Sequence, residues 1–589
     1  MARICHVLSQ THLTGAEVCA ARLAAEQMQA GHHCLLVSDA IHVTTEAVVE
    51  TLPVHRARGA QRRRSIAQLC ELCQREGIDI LHSHSRAAAH LANAVARRLQ
   101  LPHLAQIHGR QGVHWHSRFK PHPYGRALSA MCCNVRRHLI ADLAIAPGRI
   151  RVIPNPIDPP SACEPALPPS TLRRIVWIGR LTGPKGEIAR RLAYTIAPGL
   201  SDCELIIVGG PERPAEWGAP PSSVRMVGQQ ADIAPWLACA DLVIGGGRVC
   251  FEAALAGKPV LALGEANAPG LLNADTINAA LASNGGDVAP PDGIDWDQVD
   301  TDLAVTAPAA FTGSQLSAFA PAAVAAATER GYDHARIAAA TAGLREIPAL
   351  LYHRVLPTAP SDSRFNVYVT SEQMRAHLSL LRARGCTFVT AADLLRGTPL
   401  RRPVWLTFDD GYRDNYEHLL PLLQEFNAKA TVFALGDRSI DHNAWDAANG
   451  EPAAPLMSGE QLRACHDSGH IEIASHGMGH RKLCQLDDQA LEHELAASKA
   501  SLENLIGAAV PAFAYPWGEY QQRERDAVQA AGYALGIGTV NGPLHPADDP
   551  YRIRRITMFP RDHGTSFAKK ASGWYLRLCR ARGKDGPFQ

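Results

Sequence analysis

At 589 residues the chain exceeds what one hydrophobic core supports, so two to four domains are expected. Its hydrophobic fraction of 46% and charged fraction of 20% are those of an ordinary globular protein. The formal net charge of +2 gives no overall pull toward nucleic acid, and no run of about 18 apolar residues marks a membrane-spanning helix.

The opening residues, Met1-Ala2-Arg3-Ile4-Cys5-His6-Val7-Leu8, carry one positive charge, a very short apolar run and no small-residue cleavage site. They read as a first β-strand rather than a signal peptide, which sets a cytoplasmic location as the expectation. Fifteen cysteines without disulfide-framework spacing agree with reduced thiols there. Cys70-Glu71-Leu72-Cys73 has redox or zinc spacing, but it lacks a companion pair and lies in a helical pattern, so ordinary packing is the reading.

Residues 1–160 alternate β-rich runs (3–8, 34–38, 78–82) with amphipathic helical stretches (16–30, 66–76). This is the pattern of a parallel sheet with helices on both faces. Pro154-Asn155-Pro156-Ile157-Asp158-Pro159-Pro160 breaks it, and a second βα series follows, with strands expected at 175–178, 204–208, 224–227, 242–244 and 260–263. Two doubly wound halves joined by a proline-rich hinge imply a ligand cleft between them. Residues 289–345, rich in Ala and Pro, end in a helical stretch at 332–345, and a strand at 349–353 resets the pattern. The expected domains are therefore 1–165, 166–345 and 346–589.

In the third unit, three expected strands deliver polar clusters at their carboxyl ends. Residues 404–408 lead to Asp409-Asp410-Gly411-Tyr412, residues 470–474 to Ser475-His476-Gly477-Met478-Gly479-His480, and residues 512–515 to Pro516-Trp517-Gly518. Polar clusters at strand ends are how a barrel-type active site is built. Alone, Asp-Asp-Gly is also a good turn, and two histidines four apart often share a helix face without metal. Together, one carboxylate and two imidazoles make a three-ligand site with open positions, as a catalytic zinc is held. The neighbouring aspartate stays free to take a proton from water.

Thr407-Phe408-Asp409-Asp410-Gly411-Tyr412, His476-x-x-x-His480 and Tyr515-Pro516-Trp517-Gly518 resemble successive motifs of the polysaccharide deacetylases (carbohydrate esterase family 4, the NodB-homology domain). Leu351-Tyr352-His353-Arg354-Val355 resembles the first strand of the branch that acts on poly-N-acetylglucosamine, and the likeness covers roughly residues 346–565. It implies a distorted (β/α) barrel with Asp409 as general base and with Asp410, His476 and His480 as ligands of Zn2+ or another divalent metal. The backbone N–H of Trp517 is implied as donor to the oxyanion. Three positions depart from the family pattern. Ala514 stands where its arginine orients the base, so another group must do so. Its tryptophan-bearing fourth motif is not visible near Ile537-Gly538-Thr539. Arg554-Arg555-Ile556-Thr557-Met558-Phe559 lacks the histidine that protonates the leaving amine, which leaves His563, further on, as the candidate acid.

In the first two units, Ile178-Gly179-Arg180-Leu181 follows a strand and Lys185-Gly186 precedes a helix, which suits a diphosphate. Gly245-Gly246-Gly247-Arg248-Val249-Cys250-Phe251-Glu252-Ala253 permits close backbone approach, with a carboxylate near a helix start where ribose hydroxyls bind or where the helix dipole favours it. With Thr14-Gly15-Ala16-Glu17, His82-Ser83-His84-Ser85, Ile107-His108-Gly109 and Ile153–Asp158, this resembles the family 4 retaining glycosyltransferases of the GT-B fold across residues 1–345. The resemblance implies that Arg180 and Lys185 bind the donor diphosphate, that Glu252 binds the ribose, and that Gly15 and His108 border the nucleotide-sugar. The family's second glutamate, eight positions earlier, is Ile244 here. Such enzymes need no metal.

A transferase that adds N-acetylglucosamine and a deacetylase that removes its acetyl group together install glucosamine. The arrangement resembles bifunctional enzymes of the lipopolysaccharide core. UDP-N-acetylglucosamine is the expected donor, and a lipid-linked glycan at the inner face of the cytoplasmic membrane the expected acceptor. A capsule or exopolysaccharide intermediate comes second, and a non-catalytic, glycan-binding deacetylase region is the alternative. Membrane-surface contact is expected from a loop with Trp115, Arg118, Phe119 and Lys120 and from the basic tail 569–584, with Trp574 and Tyr575.

Overall fold

The structure, a computed structural model, describes residues 1–12, 14–112, 123–159, 163–210, 217–288, 293–546, 548–572 and 575. The chain forms two compact units, one of residues 1–99 and 103–331 and the other of residues 100–102 and 332–589.

The first unit contains two sheets. Strands β1 (Arg3–Val7), β2 (His33–Ser38), β3 (Val48–Thr51), β4 (Ile80–Ser83), β5 (His103–Ile107), β6 (Ala127–Ala130) and β7 (Ile150–Val152) pair in the order 3-2-1-4-5-6-7. Every pairing is parallel. β4, β5 and β6 are buried along their whole length, as strands covered on both faces must be. The second sheet has β8 (Arg173–Ile178), β9 (Cys203–Val208), β10 (Val224–Gly228), β11 (Leu242–Gly245), β12 (Val260–Ala262) and β13 (Gly270–Leu271), in the order 10-9-8-11-12-13 with only β13 antiparallel. In both sheets the order reverses beside the first strand, which is where doubly wound sheets bind ligands.

Two helices begin earlier than periodicity indicates. The helix Gly59–Arg75 opens with an arginine-rich turn whose polar face conceals it, and the helix Pro321–Ala340 opens in an Ala-rich stretch with no apolar period. Cys70 and Cys73 both lie on the first of these, and every described cysteine is free.

The second unit is a closed barrel. After β14 (Ala349–Tyr352) come a small parallel pair, β15 (Arg354–Leu356) and β16 (Tyr368–Thr370), and then β17 (Thr387–Val389), β18 (Pro403–Phe408), β19 (Ala430–Ala434), β20 (Ile471–Ser475), β21 (Ala512–Ala514), β22 (Leu535–Asn541) and β23 (Ile553–Thr557). Seven parallel strands run β14-β23-β22-β21-β20-β19-β18, and β18 closes the ring on β14 with Ala349 opposite Trp405; β17 is added outside on β18. Strand alternation divides the barrel into two cores. Leu406, Phe408, Val432, Ile473 and Phe513 face the surrounding helices, while Trp405, Phe433, Ala474, Ala514 and Ile537 form a separate cluster on the opposite, inward face.

Low in the barrel, Glu472 accepts from Thr431 Oγ1 at 2.7 Å and from the N–H groups of Ala391 and Ala392 at 2.9 and 2.8 Å, so it caps the short helix Ala391–Leu395 from across the sheet. Glu472→Ala strands three donors and is expected to cost about 2–3 kcal/mol, read as a lower denaturation midpoint. An unchanged midpoint would contradict this account of the cap.

Candidate active sites

The inward row of the barrel strands carries the chemistry. On β18 it runs through Trp405 and Thr407, and one more alternation places Asp409 at the carboxyl end, with Asp409 N–H extending the ladder to Tyr352 O at 3.0 Å. On β23 the row Ile553, Arg555, Thr557 brings Arg555 to the same depth. Arg555 is fully buried and grips Asp409 with both arms, Nη1 to Oδ1 at 2.6 Å and Nη2 to Oδ2 at 2.7 Å, while its Nε donates to Gly538 O at 3.0 Å. This bidentate, charge-assisted pair supplies what Ala514 cannot. The methyl group of Ala514 lies in the inward cluster of the barrel that Arg555 enters.

Asp410 leaves the strand in a left-handed conformation (φ 73°), as do His480 (φ 56°) and Trp517 (φ 63°). Left-handed residues with side chains concentrate where a site demands them. Asp410 Oδ1 lies 3.3 Å from His476 Nε2 and 3.3 Å from His480 Nε2, and all three residues are buried. His476 donates from Nδ1 to Ala514 O at 2.9 Å, which turns Nε2 toward Asp410. Trp445 stacks on His480 with 4.1 Å between ring centres. One carboxylate and two imidazoles converging in a buried pocket fit a divalent metal.

Burial alone would raise the Asp409 carboxyl, but the charge and hydrogen bonds of Arg555, together with nearby His476 and His353, hold the group below the usual carboxylate range. Burial opposes ionisation of Asp410 too, and hydrogen bonds from His476 and His480 overcome it. Asp446 accepts from Tyr412 Oη at 3.4 Å, but burial and then the Asp410 charge outweigh its donors and push it up to about 6.

A cavity of about 240 Å³ opens onto this cluster, bordered by His353, Phe365, Trp445, Asp446, Trp517 and Thr539 beside the two aspartates and two histidines. Trp517 donates from its indole to His480 O at 3.2 Å, and a Cβ on Gly518 would stand 2.0 Å from Thr539 Oγ1, so only glycine fits behind the tryptophan. His563 is not at this cavity. It precedes the helix Gly564–Lys570 as an exposed residue, beyond the last barrel strand. His353, one residue past β14, borders the cavity instead.

In the first unit a cleft of about 700 Å³ is lined from one sheet by Gly15, His108 and Asn155 and from the other by Arg180, Lys185 and Arg248. Arg180 pairs with Glu265, and Lys185 Nζ lies 2.8 Å from Asp287 Oδ2. Glu252 is not among the residues bordering this cleft; it sits past the first turn of the helix Arg248–Leu255, where its Oε1 accepts from Arg248 Nε at 2.5 Å. Asp287 and Arg248 escaped the motif reading; the four-residue step from Arg248 to Glu252 was its available signal. Residues 113–122, with Trp115, Arg118, Phe119 and Lys120, lie outside the described residues, as does most of the tail, although Tyr575 packs on the barrel's outer core.

Two stretches of the chain match known families. Residues 13–160 match the family model of Glycosyltransferase Family 4, and residues 396–536 that of polysaccharide deacetylase. The chain thus carries a Glycosyltransferase Family 4 domain toward its N-terminus and a polysaccharide deacetylase domain toward its C-terminus. It is 29% identical over 227 residues to YxkH of Bacillus subtilis, named as a polysaccharide deacetylase, covering 38% of this chain and 75% of that protein. It is 24% identical over 230 residues to the poly-beta-1,6-N-acetyl-D-glucosamine N-deacetylase of Staphylococcus epidermidis, covering 35% and 77%. Among solved structures, a glycosyltransferase from Rickettsia africae matches with a TM-score of 0.37 at 17% identity, covering 44% of this chain and 78% of that one. Among the described residues no helix is long and apolar enough to cross a membrane.

Arg555→Met leaves Asp409 a buried carboxylate without its cation. The expected cost is about 3–5 kcal/mol by chemical denaturation, with partial recovery in Arg555→Lys. A variant as stable as the parent would contradict the clamp.

Proposed function

We propose that this protein transfers N-acetylglucosamine from UDP-N-acetylglucosamine to a lipid-linked glycan of the lipopolysaccharide-core type at the inner membrane face, with retention, and then hydrolyses the acetamide to leave glucosamine. The observation that carries the second step is the Asp409–Arg555 pair, set directly beside the Asp410–His476–His480 cluster. The name of the Staphylococcus epidermidis relative supports an N-acetylglucosamine substrate.

In this reading Asp410, His476 and His480 hold a divalent cation, zinc by ligand type. When bound, that cation supplies Lewis acidity toward water and the amide carbonyl. Asp409 takes the proton of the attacking water, its orientation set by Arg555. The backbone N–H of Trp517 donates to the developing oxyanion. His353, at the cavity wall where His563 is absent, delivers a proton to the departing nitrogen. Water adds across the amide C–N bond and yields acetate and the free amine.

In the cleft, Arg180, Lys185 and Arg248 bind the donor diphosphate, with Gly15 and His108 around the sugar. Glu252 acts through Arg248.

With donor and acceptor supplied, mass spectrometry of the product and an acetate assay test both halves. Lys185→Ala is expected to weaken donor binding about 10–100-fold. Asp409→Asn and His476→Ala are expected to halt at the acetylated product. His353→Ala is expected to slow deacetylation about 100-fold, and His563→Ala to leave it intact. Free amine from Asp409→Asn would sink the site assignment, and an inert His563→Ala would return the acid to that residue.

A further inference from the structure

A second cluster of imidazoles lies outside both sites. His6 on β1 and His82 on β4 are directly opposed in the parallel pairing, so their side chains share one face, and His84 follows just past β4. All three are buried, and one ligand nitrogen from each comes within 4.8 Å of the others. They occupy the position where strand order reverses, at the carboxyl ends of β1 and β4.

Their hydrogen bonds form a chain with both ends defined. Gln27 Oε1 lies 2.9 Å from His6 Nε2, His6 Nδ1 lies 3.0 Å from His84 Nε2, His84 Nδ1 lies 3.4 Å from His108 Nε2, and His108 Nδ1 lies 3.0 Å from Asn155 Oδ1. Both terminal atoms are oxygens; Gln27 Oε1 also accepts from Cys34 Sγ at 3.7 Å, which orients that amide. The Asn155 oxygen also faces Cys19 Sγ at 3.4 Å and Gln106 Nε2 at 3.5 Å, both donors, which fixes it as the acceptor. Four contacts therefore need four protons, and three neutral imidazoles carry three. The end contacts fix the outer tautomers: His6 donates from Nε2 to Gln27, and His108 donates from Nδ1 to Asn155. His108 Nε2 is then bare and takes the proton of His84 Nδ1. What remains is His6 Nδ1 and His84 Nε2, two lone pairs 3.0 Å apart with no proton between them.

We propose that His6, His82 and His84 hold a divalent transition-metal ion, zinc by ligand chemistry, at a site separate from Asp410, His476 and His480. A cation between the two bare nitrogens removes the mismatch without adding a proton, and His82 supplies a third imidazole. The outer bonds are those that ligating imidazoles make, with His6 Nε2–H on Gln27 and His84 Nδ1–H on His108. Closing the chain with a fourth proton instead would bury an imidazolium among amides and imidazoles and gain a single hydrogen bond. Because His84 donates to His108, which borders the donor cleft, the ion fixes the His108 ring and tautomer without touching substrate.

The test uses the untagged full chain carrying Asp410→Ala, His476→Ala and His480→Ala, stripped by chelator and titrated with Co2+. The expected result is one equivalent bound, with the visible absorption bands of low-coordinate cobalt, and a melting temperature that rises with Zn2+ and falls again with chelator. Adding His84→Gln or His6→Asn is expected to abolish the bands. If the triple variant binds no Co2+, or if the bands survive both histidine substitutions, the proposal fails. Because the deacetylase ligands are already gone from this variant, the outcome is independent of how that site is read.

Discussion

Everything at the deacetylase centre depends on the two-armed contact between Arg555 and Asp409. A buried carboxylate beside another carboxylate and two imidazoles has several partners to choose from. Left alone, it would join the cation-binding cluster or accept a proton. The guanidinium engages both of its oxygens at 2.6 and 2.7 Å, keeps it ionised and turns it away from the ligand set. The two adjacent aspartates are thus held apart by a residue 146 positions away, which takes Asp409 and leaves Asp410 to the histidines.

That contact depends in turn on barrel closure. Asp409 and Arg555 meet because β14 pairs with both β18 and β23, which places the carboxyl ends of the first and last parts of the barrel side by side. Strand alternation then aims both residues inward. The small inward side chains of Ala474 on β20 and of Ala512 and Ala514 on β21 leave room for Trp405, Phe433 and Arg555 on β18, β19 and β23. A substitution in the barrel core that shifts β23 along its axis would be felt first as a misplaced Asp409 carboxylate.

The cleft of the first unit follows a different logic. Its cations are already paired, Lys185 with Asp287 and Arg248 with Glu252, so any anion entering the cleft would compete with carboxylates instead of meeting free charges. Such pairing holds the long side chains in place. The strand ends and their polar clusters were legible from the chain alone, because Asp409, Asp410, His476, His480, Arg180 and Lys185 each follow a recognisable strand. The Arg555 partner was not, since nothing local joins 409 to 555 until the ring closes; only the alternation Ile553, Arg555, Thr557 hinted at an inward arginine. His563 attracted attention by its proximity in sequence to the missing motif, whereas His353 entered the cavity from the other end of the barrel sequence. Glu252 was read as a helix-start carboxylate, but the helix begins at Arg248 and takes Glu252 as its own ion-pair partner.

The most direct measurement is anomalous diffraction at the metal edge from crystals of the zinc-loaded protein. The account predicts a peak about 2.0–2.2 Å from Asp410 Oδ1, His476 Nε2 and His480 Nε2, with Asp409 outside the ligand set and still held by both arms of Arg555. A cation ligated by Asp409, or an Arg555 displaced from it, would contradict the account.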